Sequence, residues 1–360
     1  MVAESLKSRA AYASAMKNVF NLKKATKIQN KIFDFSNTKP RSGTWWWWFF
    51  LFFFNNPKNP EKPRQLMILW STKRDREISC NDLNIILNHD LEKKSRGKII
   101  DGAVAAWYFD GEKMHHNFVL EQTPLIFSKN SLRAAKSAIE VKGKKITVVV
   151  NKGIKFDLRL KEKNSFTMPT HDSKKMLGFN YELLRMNKLD LTGVVDGKKA
   201  SGSSYFQRVF LNAPALPWYW GVFHFKKGTA LTYFKIHSGR ATGEIPLKRD
   251  VQFFYKGTLH RINKIKVRRT DKSGLPTFHV SGENKEKKFS FYVEAYSDSW
   301  WKFRKKIKGV LPIKSTFLWH EYPAVIKKFE FIDKKTGKKV TEKDIGIGIG
   351  NAEHSFGILV

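Results

Sequence analysis

The chain holds a single cysteine, Cys80. That excludes an intrachain disulfide and a cysteine-based zinc site. It suits a reducing compartment, so a cytoplasmic location is expected. Cys80 lies in ISCND with no motif around it, which reads as an ordinary strand-end residue rather than a nucleophile. Acidic residues are also scarce: 32 Asp and Glu against 67 Lys and Arg leave a formal net charge of +35. Such an excess draws a protein to polyanions or to an anionic membrane face, or simply solvates its surface. The basic residues are spread along the whole chain, with neither zinc-finger spacing nor the aromatic signature of RNA recognition. No specific nucleic-acid partner is expected. Residues 1–30 lack the continuous apolar stretch of a secretory signal.

A membrane-length apolar run is missing too. The longest, TWWWWFFLFFF at 44–54, would rise only ~16 Å as a helix, about half a bilayer core. As a strand it reaches ~35 Å. The connector NNPKNPEKPRQ and a second apolar run, LMILW, follow it, and strand, proline-rich loop, strand is a hairpin pattern. A strand that is apolar on both faces must be covered on both faces, by a cavity or core on one side and a helix or second sheet on the other.

What remains is abundant in aromatics, 14% of 360 residues, with 41% apolar overall. Strand-length segments such as KITVVV, WYWGVFHF and KFSFYVEAYS recur between DG, KG and NKG turns. The expected fold class is mainly β: two antiparallel barrel domains behind a short basic helical arm. The expected domains are 1–40 for the arm, 41–185 for the first barrel and 186–360 for the second, with the boundary near Arg185. Leu6–Phe33 reads as a basic amphipathic helix that either lies on an anionic membrane or packs across the fold. Residues 79–95 and 130–139 are the other expected helices.

Metal and cofactor signals are weak. His115 and His116 are adjacent and point to opposite faces of a strand, and His89 with Asp90 has no third partner. No metal and no cofactor are expected. The closing GIGIGNAEHSFG has no strand–helix context for a dinucleotide loop and reads as a glycine-bearing final strand closing a barrel at a tight corner.

Four stretches together carry a resemblance. LDLTGVVDGKKASGSSYFQRVFLNAPALPWYWGVFHFKKGTALTYFKIH looks like the central motif of the AttH-type, carotenoid 1,2-hydratase-like superfamily. The TWWWWFFLFFF…RQLMILW hairpin is similar to that family's first hairpin, LWHEY resembles its Tyr-Trp-Glu-Gly element, and GIGIGNAEHSFG resembles its closing strand. Their order agrees, and they bracket residues 44–357. The resemblance implies two lipocalin-like barrels and an apolar cavity for an isoprenoid or other long lipid. It also implies hydro-lyase chemistry, the acid-initiated hydration of an alkene, or terpenoid cyclisation. That chemistry needs a carboxylic acid kept protonated in an apolar pocket, and aromatic faces to steady a carbocation. The family acid falls two residues after the motif tyrosine. Here that tyrosine is Tyr205 and the acid's place is taken by Gln207, which has no proton to give. The candidate acids are then Glu321 in LWHEY and Glu353 in the last strand, with Tyr205 and Gln207 as orienting groups. Trp46, Trp48, Trp218, Trp220, His224 and Tyr322 are the candidate ligand-binding residues. The alternative, from the missing acid and the basic surface, is a carrier that binds a lipid without chemistry on anionic membranes.

Overall fold

The computed structural model describes residues 26–38, 43–73, 77–86, 90–143, 145–161, 170–176, 179–226, 228–239, 242–272, 274–307 and 313–359. It is built almost wholly of antiparallel strands. In chain order these are β1 (Trp45–Phe54), β2 (Gln65–Lys73), β3 (Glu77–Cys80), β4 (Leu83–Ile86), β5 (Ile99–Phe109), β6 (Met114–Phe127), β7 (Ser131–Ala134), β8 (Ser137–Lys142), β9 (Lys145–Lys152), β10 (Ile154–Lys161), β11 (Thr170–Met176), β12 (Phe179–Val195) and β13 (Lys198–Asn212). After a crossing at 213–217 come β14 (Trp218–His224), β15 (Ala230–His237), β16 (Pro246–Tyr255), β17 (Thr258–Asn263), β18 (Lys266–Lys272), β19 (Leu275–Glu283), β20 (Lys287–Ala295), β21 (Ser299–Ile307), β22 (Ile313–Asp333), β23 (Lys338–Thr341) and β24 (Gly348–Gly357).

The first sheet runs β10-β9-β8-β7-β6-β5-β2-β1-β13-β12, and β12 pairs back onto β10. Ten strands thus close a barrel, and β11 extends the sheet beyond it by pairing with the first part of β12. The second sheet runs β17-β16-β15-β14-β24-β22-β20-β19-β18. It curls likewise, but no ladder joins β17 to β18 among the described residues. The hairpin β3–β4 leaves the first barrel and joins the second sheet, Cys80 opposite Phe303 on β21.

The tryptophan strand is covered on both faces, as its composition requires. Trp46, Trp48, Phe50, Phe52 and Phe54 point into the first barrel and belong to its core. Trp45, Phe49, Leu51 and Phe53 point the other way, into an apolar layer shared with the second barrel. Alternation along one strand therefore fills two separate cores. A helical segment at 26–32 covers one end of the first barrel. Ile28, Ile32 and Phe33 bury there, and Phe33 stacks on Phe206 at 5.2 Å. Arg208 donates from Nη1 to the carbonyls of Lys31 (2.7 Å) and Asp34 (2.8 Å), satisfying the end of that helix. This end of the expected arm packs on the fold, and the part at 1–25 lies outside the described residues.

Three expectations need correction. Residues 79–86 lie in the hairpin β3–β4, and among the described residues of 79–95 only Asp90–Lys94 is helical. Residues 130–139 form β7 and the start of β8; the alanines there mimic a helix former, but Leu132 and Ile139 both belong to the barrel core. The sheet boundary is not near Arg185. That residue sits within β12, which pairs with β13 from Asn180↔Asn212 to Val195↔Lys198.

The last strand lies between β14 and β22. A Cβ at Gly350 would sit 1.9 Å from the Val222 carbonyl oxygen, so only glycine permits that close approach.

Candidate functional site

The two sheets meet along a seam. It is lined by the odd-numbered face of β1 and by the outward faces of β14, β22 and β24. In the β22–β24 ladder Glu321 stands directly opposite Glu353, which puts both side chains on the seam face. Directly opposite Cβ atoms are roughly 5 Å apart. Glu321 is fully buried and Glu353 is 4% exposed. The Asn351 amide donates to Glu321 Oε2 at 2.5 Å, and the Trp218 indole N–H donates to Glu353 Oε2 at 2.7 Å. Oε1 of each carboxyl accepts no hydrogen bond.

Burial governs the charge state of this pair. Desolvation pushes the Glu321 carboxyl well above the ordinary carboxylate range, and the neighbouring Glu353 adds to the push. Burial likewise raises Glu353, to about 8. The indole of Trp218 opposes that rise, as does Trp319, whose N–H completes no full hydrogen bond. Two carboxyls in one dry site do not both ionise, so at neutral pH the pair retains a proton.

Aromatic rings surround it. Trp218 packs on Trp319 (centroids 5.7 Å apart) and on Phe317 (5.1 Å). Phe49 lies 6.1 Å from both Trp220 and Trp319, and Tyr205 lies 5.3 Å from Trp220. The Tyr205 hydroxyl donates to Gln207 Oε1 at 2.9 Å. Opposite Gln207 in the β12–β13 ladder stands Arg185, nearly fully buried and paired with Asp172 at 2.7 Å. Farther along the seam an apolar cavity of about 40 Å³ opens among Trp45, Leu69, Ile78, Cys80, Ile85 and Phe303, room for a few water-sized groups.

Comparison with solved structures places this architecture. A Nitrosomonas europaea protein assigned as an AttH superposes with a TM-score of 0.51 at 10% identity, covering 86% of this chain and 92% of that one. The fold is AttH-like. CghA matches with a TM-score of 0.46 at 9% identity over 90% of this chain and 94% of its own, and CghA with Sch210972 with 0.44 at 9% over 91% and 95%. No family model matches the chain, and no curated protein matches it in sequence.

Within the AttH-like fold, the seam brings together Glu321, Glu353, Tyr205, Gln207, Trp218 and Trp220 from the sequence candidates. It does not collect the rest. Trp46 and Trp48 are packed inside the first barrel, Trp46 beneath Arg208 and against Phe210, Trp48 against Phe127 and Phe35. Tyr322 neighbours Glu321 in sequence and so points to the opposite face, into the second barrel. His224 lies at one end of the seam with both ring nitrogens engaged, Nε2 donating to the Asn187 carbonyl (2.7 Å) and Nδ1 beside Ser203 Oγ (2.8 Å). Its burial lowers its pKa well below the usual value, with Lys188 helping. A neutral imidazole there pins β14 to the first barrel. Asn351, Trp319 and Phe49 escaped the sequence reading as site residues. The signal was present: Asn351 is two residues from Glu353, and Trp319 two from Glu321, each on its partner's face.

Proposed function

We propose that the seam parts to admit an apolar, unsaturated ligand of isoprenoid or long-lipid type, larger than its cavity of about 40 Å³, and delivers a proton to one of its double bonds. The observation that carries this reading is the buried pair Glu321–Glu353, facing one another within an indole-rich wall. One carboxylic O–H forms the new C–H bond at one alkene carbon and leaves its electrons on the carboxylate. The positive charge develops at the other alkene carbon, where Trp218, Trp220 and Trp319 present π faces. Addition of water to that carbon completes a hydration, its spare proton returning to the carboxylate; attack by a second double bond instead closes a ring and moves the charge to a new carbon, and loss of a proton from the adjacent C–H to the carboxylate gives the neutral cyclic alkene. Tyr205 and Gln207 are suited to orienting the water or a ligand hydroxyl. The AttH-like fold is consistent with this chemistry.

A second reading keeps the ligand and drops the reaction. Gln207 at the position of the resembled family's acid favours it, and the net charge of +35 suits a carrier resting on anionic membranes from the cytoplasmic side. Mass spectrometry of an organic extract of the natively purified protein tests both. A stoichiometric hydrated or cyclised isoprenoid in the wild type, replaced by its unreacted alkene in Glu353→Gln or Glu321→Gln, supports the enzyme. The same unmodified lipid in all three supports the carrier. An empty extract, with no isoprenoid binding on titration, overturns both.

A further inference from the structure

The second barrel carries a polar cluster that the seam does not use. Tyr219, Lys235, His237, Arg249, Arg269 and His354 project to its interior side near one end, and Glu244 reaches into the group from the loop before β16. The Glu244 carboxylate accepts from Lys235 Nζ at 2.9 Å and from the Tyr219 hydroxyl at 3.1 Å. One ring nitrogen each of His237 and His354 lies with a Glu244 oxygen in a group no wider than 4.8 Å. Two histidines and a carboxylate at that spacing suggest a metal site. Hydrogen bonding argues for the opposite charge. The Gly239 backbone N–H donates to His237 Nδ1 at 3.2 Å, and Arg269 Nη1 lies 2.8 Å from His354 Nδ1. A backbone amide and a guanidinium only donate, so both Nδ1 atoms are acceptors and both neutral rings carry their proton on Nε2. Each Nε2 is then a donor and not a ligand.

Donors therefore predominate in the cluster. Lys235 and Arg249 stand directly opposite one another in the β15–β16 ladder, a like-charge pairing that is unfavourable unless an anion lies near it. Lys235 is only 8% exposed. Glu244 holds a backbone φ of +53°, a region that a non-glycine residue enters at a cost. The Glu244 carboxylate is thus held on strained backbone against a lysine and a tyrosine, with two imidazole nitrogens within 4.8 Å.

We propose that this end of the second barrel is an oxyanion-binding site, with the Glu244 carboxylate standing in for the carboxylate or phosphoryl group of a ligand that displaces it. Lys235 and Tyr219 are its principal donors, and His237, His354 and Arg269 complete the wall. The proposal is independent of the seam chemistry. Its test is calorimetric titration of the full chain with inorganic phosphate and, separately, acetate at fixed ionic strength, because the high net charge attracts any anion at low salt. Glu244→Gln removes the resident anion and is expected to tighten the site for one or both probes roughly tenfold, with one anion bound per chain. Lys235→Met in that background is expected to lose the gain, and the stronger probe names the group. A folded Glu244→Gln protein that binds neither probe more tightly than wild type overturns the proposal, as does a gain that survives Lys235→Met. Should Glu244→Gln fail to fold, Tyr219→Phe replaces it. Loss of one donor is then expected to weaken phosphate binding several-fold, and unchanged binding counts against the site. Stoichiometric zinc binding by the wild type that disappears in His354→Gln also overturns it.

Discussion

The interiors of the two barrels are built on the same antiparallel plan and filled differently. The first, closed by the β10–β12 ladder, is packed with Phe, Trp, Leu, Ile and Val from every strand. The second, without a ladder between β17 and β18 among the described residues, holds Lys235, His237, Arg269 and His354 among its phenylalanines and tyrosines. A closed cylinder gives a buried charge no route to water, so hydrocarbon is the stable filling. In the second the polar groups are buried as well and are satisfied by one another, Lys235 by Glu244 and His354 by Arg269. The candidate chemistry then falls in the open barrel and on the seam, while the closed barrel serves as a rigid wall that supplies Phe49, Tyr205 and Gln207 to that seam.

The largest test of this contrast is a pair of truncations. Phe50→Ala in the closed barrel removes a fully buried ring that stacks 4.1 Å from Phe206. It should cost about 4–5 kcal/mol, because a closed core has little room to collapse. Phe253→Ala in the open barrel, also fully buried, should cost about 3 kcal/mol. Urea unfolding of both gives the answer, and equal losses would mean that closure does not matter.

Asp172→Ala comes next. It strips the partner from Arg185, whose side chain is 3% exposed. A stranded buried cation is expected to destabilise the protein by about 3 kcal/mol, read from the same urea curves. A much smaller loss would show that water reaches the seam at this point.

The carboxyl pair predicts a pH dependence with a definite sign. Glu353 holds its proton to about 8 in the folded chain, whereas an unfolded glutamate releases it near 4.3. Between those values the folded state binds the extra proton, so this group's contribution to stability falls as pH rises, by about 1.4 kcal/mol per pH unit, and levels off above 8. Denaturation midpoints at pH 5, 6.5 and 8 should converge for wild type and Glu353→Gln at low pH and separate at high pH, the variant being the more stable. Parallel curves would contradict a dry seam.

The smallest effect concerns Cys80, in the wall of the seam cavity. Burial pushes its thiol up to about 12. Alkylation of the native protein at pH 8 should be on the order of a thousandfold slower than in urea. Fast labelling would show that the seam opens readily.

How much of this was legible beforehand depended on which interaction fixed each feature. The β1–β2 hairpin was legible, since composition and a proline-rich turn determine it locally. The β character of the whole chain followed from turn spacing. The opposition of Glu321 and Glu353 was not, because it depends on the register between two strands whose pairing is set by the entire second sheet. Their membership of one site was inferred only through the resemblance. Strand parity was available and would have removed Tyr322 from the site and divided Trp46 and Trp48 from Trp45 and Phe49. The strand assignment of 131–142 rests on long-range burial of Leu132 and Ile139, which local propensity does not record. Nothing local announces that 77–86 belongs to the other sheet.

That hairpin has a consequence for how the chain is made. Cys80 and Phe303 are ladder partners separated by about 220 residues. At a synthesis rate of roughly 5–20 residues per second, β3–β4 waits about 11–45 s on the ribosome before β21 exists to receive it. The first barrel is complete in sequence by Asn212, so for roughly the last 5–18 s of that interval the hairpin is a projection, not yet joined to β21, from a finished body. The protein's two halves are therefore joined by delivery order as well as by the peptide at 213–217, and a circular permutant that reverses their order should assemble with the clasp already in place.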